Sequence, residues 1–225
     1  LSQRRGHFPD PSVAIVMFRS CKSISRAVTF RYLPSTNAWN TVAFLQIRRK
    51  FMTDVLVIDA EGLDRLSCTA KADPSSGKKT LKAKTVCEAG FRNMTYVRDL
   101  APMLVGEPPA LLGDDSAPNP SETTLAALGS CISVGLLANA THRGVTLTKI
   151  EVEMEGDIDI SAVWGVGDTP DGKVLGFTAV RCNVTLAGDA DDATLKEIHD
   201  NAIAWSPVVN TFRRPATVDS TLSIG

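Results

Sequence analysis

One segment constrains the fold more than any other: NPSETTLAALGSCISVGLLANATHRG, residues 119–144. Asn119 is a fitting N-cap, Pro120 suits the first helical position, and Glu122 stands three residues past the cap. The helix should run to about His142 and stop at Gly144, which can take the left-handed conformation that ends a helix. Leu125, Leu128, Ile132, Val134, Leu136 and Leu137 cover most of its circumference. A helix apolar nearly all round is buried on several sides. A small domain rarely has room for that alone, so this segment predicts a buried central helix and a homodimer that covers it.

The flanking sequence predicts strands. LDRLSCTAKAD and KTLKAKTVCEA, either side of the turn-rich PSSGK, read as a hairpin from about Gly62. In the second, Leu81, Ala83, Thr85 and Cys87 alternate with Lys82, Lys84 and Glu88. FRNMTYVRDL is a third extended piece, and PMLVGEPPALLGDDSAPNP reads as a long loop. Beyond the central helix, Ile150, Val152 and Met154 alternate with Glu151, Glu153 and Glu155, a half-buried strand. FTAVRCNVTLAG repeats the period, with Val180, Cys182, Val184 and Leu186 inward. DDATLKEIHDNAIAW predicts a second helix with acids at its positive end. SPVVNTFRRP predicts a short one capped by Ser206, and ATVDSTLSI a closing strand. This order predicts the α+β class.

Charge divides the chain. Residues 1–50 carry nine of the 24 Lys/Arg and one of the 25 acids, so 15 bases face 24 acids beyond position 50. An acidic body argues against nucleic acid, whose phosphates need a basic footprint. No run reads as long enough to span a bilayer, so no membrane insertion is expected. The leader from Met17, MFRSCKSISRAVTFRYL, is rich in Arg and Ser and lacks acids. On a helix it sets Arg19, Lys22 and Arg26 apart from Phe18, Ile24 and Val28, the composition of a mitochondrial targeting segment. The other reading is upstream sequence before a start at Met52. We therefore separate a basic leader, 1–51, from a domain, 52–225. A genuine leader implies the mitochondrial matrix, and otherwise the cytoplasm. Five scattered cysteines, with no CxxC and no neighbouring His, suggest neither a disulfide framework nor zinc.

With these motifs in this order, the body from Gly62 to Gly225 resembles the OsmC/Ohr family of thiol peroxidases. The most specific parts are APNPSETTLAALGSC and SPVVNTFRRP, and EPPALLGDDSAPNP looks like the family's loop before the central helix. The resemblance implies antiparallel sheets packed around the central helix in an intertwined homodimer, with two sites at the subunit interface. It puts Cys131 on the peroxidatic cysteine. Arg92 looks like the arginine that holds the thiolate, and Glu122 like the glutamate that orients it, one residue later than in the organic-hydroperoxide branch. Ser206 falls where the family has its second, resolving cysteine.

The chemistry so implied is reduction of an organic hydroperoxide by one cysteine and an external thiol donor, with no cofactor and no metal. Thiolate is the nucleophile. Cys131 lies about three turns into its helix, beyond the reach of the helix dipole. A guanidinium from Arg92 or Arg98 could supply the charge, with Glu122 fixing the arginine. Gly129 and Ser130 would leave room beside the sulfur, and Leu128 and Ile132 would favour organic peroxides. Periodicity alone reads Cys131 as buried filler, like Cys68, Cys87 and Cys182 on their strands. A non-catalytic ligand-binding or oxidant-sensing protein of the same fold is the alternative. An acyl-transfer role lacks a histidine in an obvious base position.

Overall fold

The computed structural model describes residues 56–167, 175–214 and 216–225, together with two short strands, Ile15–Met17 (β1) and Ala27–Thr29 (β2). β1 and β2 pair antiparallel, so Met17 and Val28 are extended and do not share a helix. The rest of the proposed targeting segment, with Arg19, Lys22 and Arg26, lies outside the described residues. The chain divides into two compact units, 1–54 with 59–77, and 55–58 with 78–225.

In the first unit, helix α1 spans Ala60–Ala72. This corrects the predicted hairpin, since LDRLSCTAKAD is helical. Asp59 caps it by accepting from Gly62 N at 2.9 Å, and Arg65 bonds Asp59 at 3.1 Å. That local N-cap chemistry outweighs the weak two-residue alternation. Cys68 lies on this helix and is disulfide-bonded, so it is not the strand filler its spacing suggested.

The second unit is α+β. Lys84–Ala89 (β3), Arg92–Tyr96 (β4) and Met103–Val105 (β5) form an antiparallel sheet in the order β3-β4-β5. Every residue of β3 is exposed, Cys87 among them, so the alternation expected there buries nothing within the chain. Helix α2 spans Pro120–Arg143 and carries the predicted capping box: Asn119 Oδ1 accepts from Glu122 N, and Glu122 Oε2 from Asn119 N, both at 2.8 Å. Gly144, at φ 71°, ends it.

Strands Leu147–Asp159 (β6) and Gly176–Gly188 (β7) form a long antiparallel hairpin. Ile150 pairs with Leu186 and Val152 with Val184, and all four pack against the core. The opposite face is polar. There Arg181 bonds Glu155 at 3.0 Å and Asp157 at 2.6 Å, and Asn183 bonds Glu153 at 2.9 Å. The three glutamates are thus a solvated face, Glu153 and Glu155 with cross-strand partners and Glu151 paired with Lys149 on its own strand. Helix α3 (Asp192–Trp205) and the short α4 (Pro207–Arg213) follow as predicted, but residues 216–225 form no strand.

The core lies where α2 meets β6, α3 and α4. Ile132, Leu136, Leu147 and Ile198 are fully enclosed. Each such side chain contributes about 1.5–3 kcal/mol by leaving water. The helix crossing is close: a Cβ on Gly135 would stand 3.3 Å from that of Ala202. The stripe Leu128, Ile132, Leu136, Ala140 is buried, yet Val134 is 70% exposed. Within one chain, α2 is therefore buried along one side and not on several. At 24 residues it is also long and apolar enough to cross a membrane by length and composition, which the sequence reading had excluded for every run. Its buried stripe is spent on the core.

Candidate functional site

Cys131 sits on the third and fourth turns of α2, half-buried, with a free thiol. Ser206 fills the corner between α3 and α4. It ends one helix and caps the next, with its hydroxyl oxygen accepting from Val209 N at 3.2 Å. Pro207 occupies the first position of α4, where a missing N–H costs nothing. Asn210 locks the corner by donating its side-chain amide to Ala204 O at 3.0 Å and Ser206 O at 2.8 Å. The Ser206 hydroxyl also carries a proton. It is donated to Cys131 Sγ at 3.2 Å, across 75 residues of sequence, from a serine only 3% exposed.

The two residues picked from separate motifs are therefore partners. Of the other three, Arg92 and Glu122 are engaged elsewhere in the chain. Arg92, on β4, donates from Nη1 to Asp114 Oδ2 at 3.0 Å and to Ser116 Oγ at 2.6 Å. Hydrogen bonds from Ser116, then from Arg92, hold the Asp114 carboxyl below its ordinary range. Glu122 closes the capping box of α2. Arg98 is exposed in the turn after β4 at φ 52°. Among the described residues, no hydrogen bond or ion pair joins Arg92 or Arg98 to Cys131 or Glu122.

The small residues before the cysteine do different work from that expected. A Cβ on Gly129 would come within 3.1 Å of Met154, so this glycine lets β6 approach the helix. Ser130 donates to Ala126 O at 2.8 Å. Gly129 and Ser130 help to line a broad groove of about 760 Å³ between α2 and β6, and Leu128 and Ile132 belong to the core. Cys182 lines a separate cavity of about 320 Å³ with Phe177 and Phe212, and burial pushes its thiol up. Cys87 donates to Gly90 O at 3.3 Å. Both are free thiols, and neither is bonded to Cys131.

Sequence reasoning passed over Asp114 and Ser116, although DDS in a Pro/Gly-rich loop is a recognisable hydrogen-bonding turn. It also passed over Glu107, which is buried at 9% exposure. The signal there was an acid one glycine past the apolar strand MLV.

This α+β fold, with a capped helix carrying a free cysteine at its centre, is that of the OsmC-like proteins. Residues 113–221 match the family described as OsmC-like protein. Among solved structures, the chain is similar to an OsmC-like protein from Mycoplasma pneumoniae: 14% identity, TM-score 0.51, over 60% of this chain and 89% of that one. This likeness shows the fold. An organic hydroperoxide resistance protein from Legionella pneumophila aligns at 19% identity and TM-score 0.46, over 60% of this chain and 90% of that one. A putative osmotic stress induced and detoxification response protein from Psychrobacter arcticus aligns at 16% and 0.48, over 60% and 89%. No curated relative matches the chain.

Proposed function

We propose that this OsmC-like protein is a thiol-dependent hydroperoxide reductase in which Cys131 is the peroxidatic residue. The observation that carries the reading is the half-buried free thiol of Cys131 on the domain's central helix, receiving a hydrogen bond from Ser206. The thiolate attacks the outer peroxide oxygen, the O–O bond breaks, and an alcohol leaves after taking up a proton. Sulfur is oxidised by two electrons to the sulfenic acid. Ser206 cannot form a disulfide, so an external thiol attacks the sulfenic sulfur and releases water. A second thiol then displaces Cys131 and leaves as the mixed or symmetric disulfide. No cofactor or metal enters this cycle.

The protein acts as a homodimer in this reading. Support comes from the open groove beside α2, where Val134 is 70% exposed among Leu125, Ile150 and Val152. The guanidinium that complements the sulfur is Arg98, or Arg92 released from Asp114 and Ser116, of one copy or the other. A matrix location rests on the leader's composition, and import of the full chain by isolated mitochondria tests it.

A second reading, a non-catalytic ligand-binding or oxidant-sensing protein, is favoured by one observation: Arg92 is already held by Asp114 and Ser116. The deciding assay measures turnover of cumene hydroperoxide with monothiol and dithiol donors. Turnover that Cys131→Ser abolishes supports the reductase. No turnover with either donor leaves the second reading.

A further inference from the structure

The carboxyl of Glu107 has Oε2 buried without a hydrogen-bond partner among the described residues. Its backbone is pinned. Asp115 N donates to Glu107 O at 3.1 Å, and Gly113 passes so close that a Cβ there would overlap the Glu107 carbonyl. The side chain lines a cavity of about 410 Å³, which neither Cys131 nor Ser206 touches. Leu111, Ile158, Ile160, Trp164 and Leu175 make its walls apolar. Among the described residues, its lining includes a second acid, Asp159, and no Lys, Arg or His.

A carboxylate in such surroundings is costly unless a cation meets it. Burial, and secondarily the charge of Glu122, hold Glu107 above its ordinary range. The helix end beside the cavity has little to give an anion. Pro120 has no N–H, and the amides of Asn119, Glu122 and Thr123 are taken, which leaves the single amide of Ser121. The apolar walls suit a hydrocarbon body, and an indole face suits an ammonium head.

We propose that this cavity binds a small organic cation, an amine with an alkyl or aryl body, whose ammonium group is received by Glu107. The site is independent of the cysteine chemistry, so its test does not read turnover.

Titration calorimetry of the full chain at neutral pH with hexylamine, hexanoate and hexanol tests the idea. Hexylamine should bind at least tenfold more tightly than either of the others. Glu107→Gln should lose at least tenfold in hexylamine affinity while keeping weak hexanol binding. Ile160→Trp, which fills the cavity from its wall, should lose both ligands, and it serves if Glu107→Gln does not fold. Hexylamine binding no tighter than hexanol, binding retained in Glu107→Gln, or a preference for hexanoate would each overturn the proposal.

Discussion

Ser206 Oγ donates to Cys131 Sγ over 3.2 Å, joining the corner of two C-terminal helices to the middle of the central one. A sulfur in place of that oxygen would need to close about 1 Å to reach the bonding distance of a disulfide, which is near 2.05 Å. Ser206→Cys should therefore form an intramolecular bridge to Cys131 with one equivalent of peroxide. Mass spectrometry should show a loss of about 2 Da and protection of both thiols. In the natural chain, oxidised Cys131 should stay a sulfenic acid that a dimedone probe traps. A Cys131 disulfide to Cys87 or Cys182 would refute the single-cysteine cycle.

Removing the hydroxyl tests its structural share. Ser206→Ala loses the cap of α4 as well as the bond to sulfur. Loss of an N-cap costs about 0.5–2 kcal/mol. The denaturation midpoint should fall accordingly with an unchanged m value, and the alkylation rate of Cys131 should change in the folded protein.

Close packing of α2 on α3 rests on Gly135 facing Ala202. Gly135→Val adds bulk with no room behind it. Overpacking of this kind costs about 1–3 kcal/mol. Urea unfolding should show the loss, whereas Val134→Thr on the exposed side of the same helix should leave single-chain stability within about 0.5 kcal/mol.

Glu107 sets a pH dependence of known sign. Its carboxyl is raised in the folded state by burial, with Glu122 adding to the effect. The folded state thus holds the proton more tightly than the unfolded chain does. That contribution is fully present below the ordinary glutamate range and is lost as pH rises through the folded value. Glu107→Gln should therefore gain stability over the natural protein on going from about pH 4 to pH 7. Asp114 and Asp157 act in the opposite sense. Hydrogen bonds from Ser116 and from Arg181 respectively lead in lowering them, so their contribution is lost as pH falls below the ordinary aspartate range. Thermal melts from pH 2.5 to 7 on both proteins check both signs.

Much of the fold was legible because its signals are local. Asn119, Pro120 and Glu122 mark a helix start through bonds that span three residues, and Gly144 marks the end by its backbone freedom. The alternation from Ile150 to Met154 reports a half-buried strand for a similar reason. Misreadings fell where pattern was thin. Residues 60–72 bury none of their side chains, and the helical spacing of Leu63, Leu66 and Ala70 was passed over for the hairpin reading. The tail around Val218 alternates without a partner strand.

Read alone, the chain determined its elements from β3 to α4, its α+β class, and the motifs that contain Cys131 and Ser206. Only the tertiary structure decided that a hydroxyl meets the sulfur, that Arg92 is held by Asp114 and Ser116, and that Glu107 is shut in an apolar cavity. Caps and periodicity are written in residues three or four apart. The partner of a buried polar group is chosen by which distant segments the core draws together, and no local pattern records that choice.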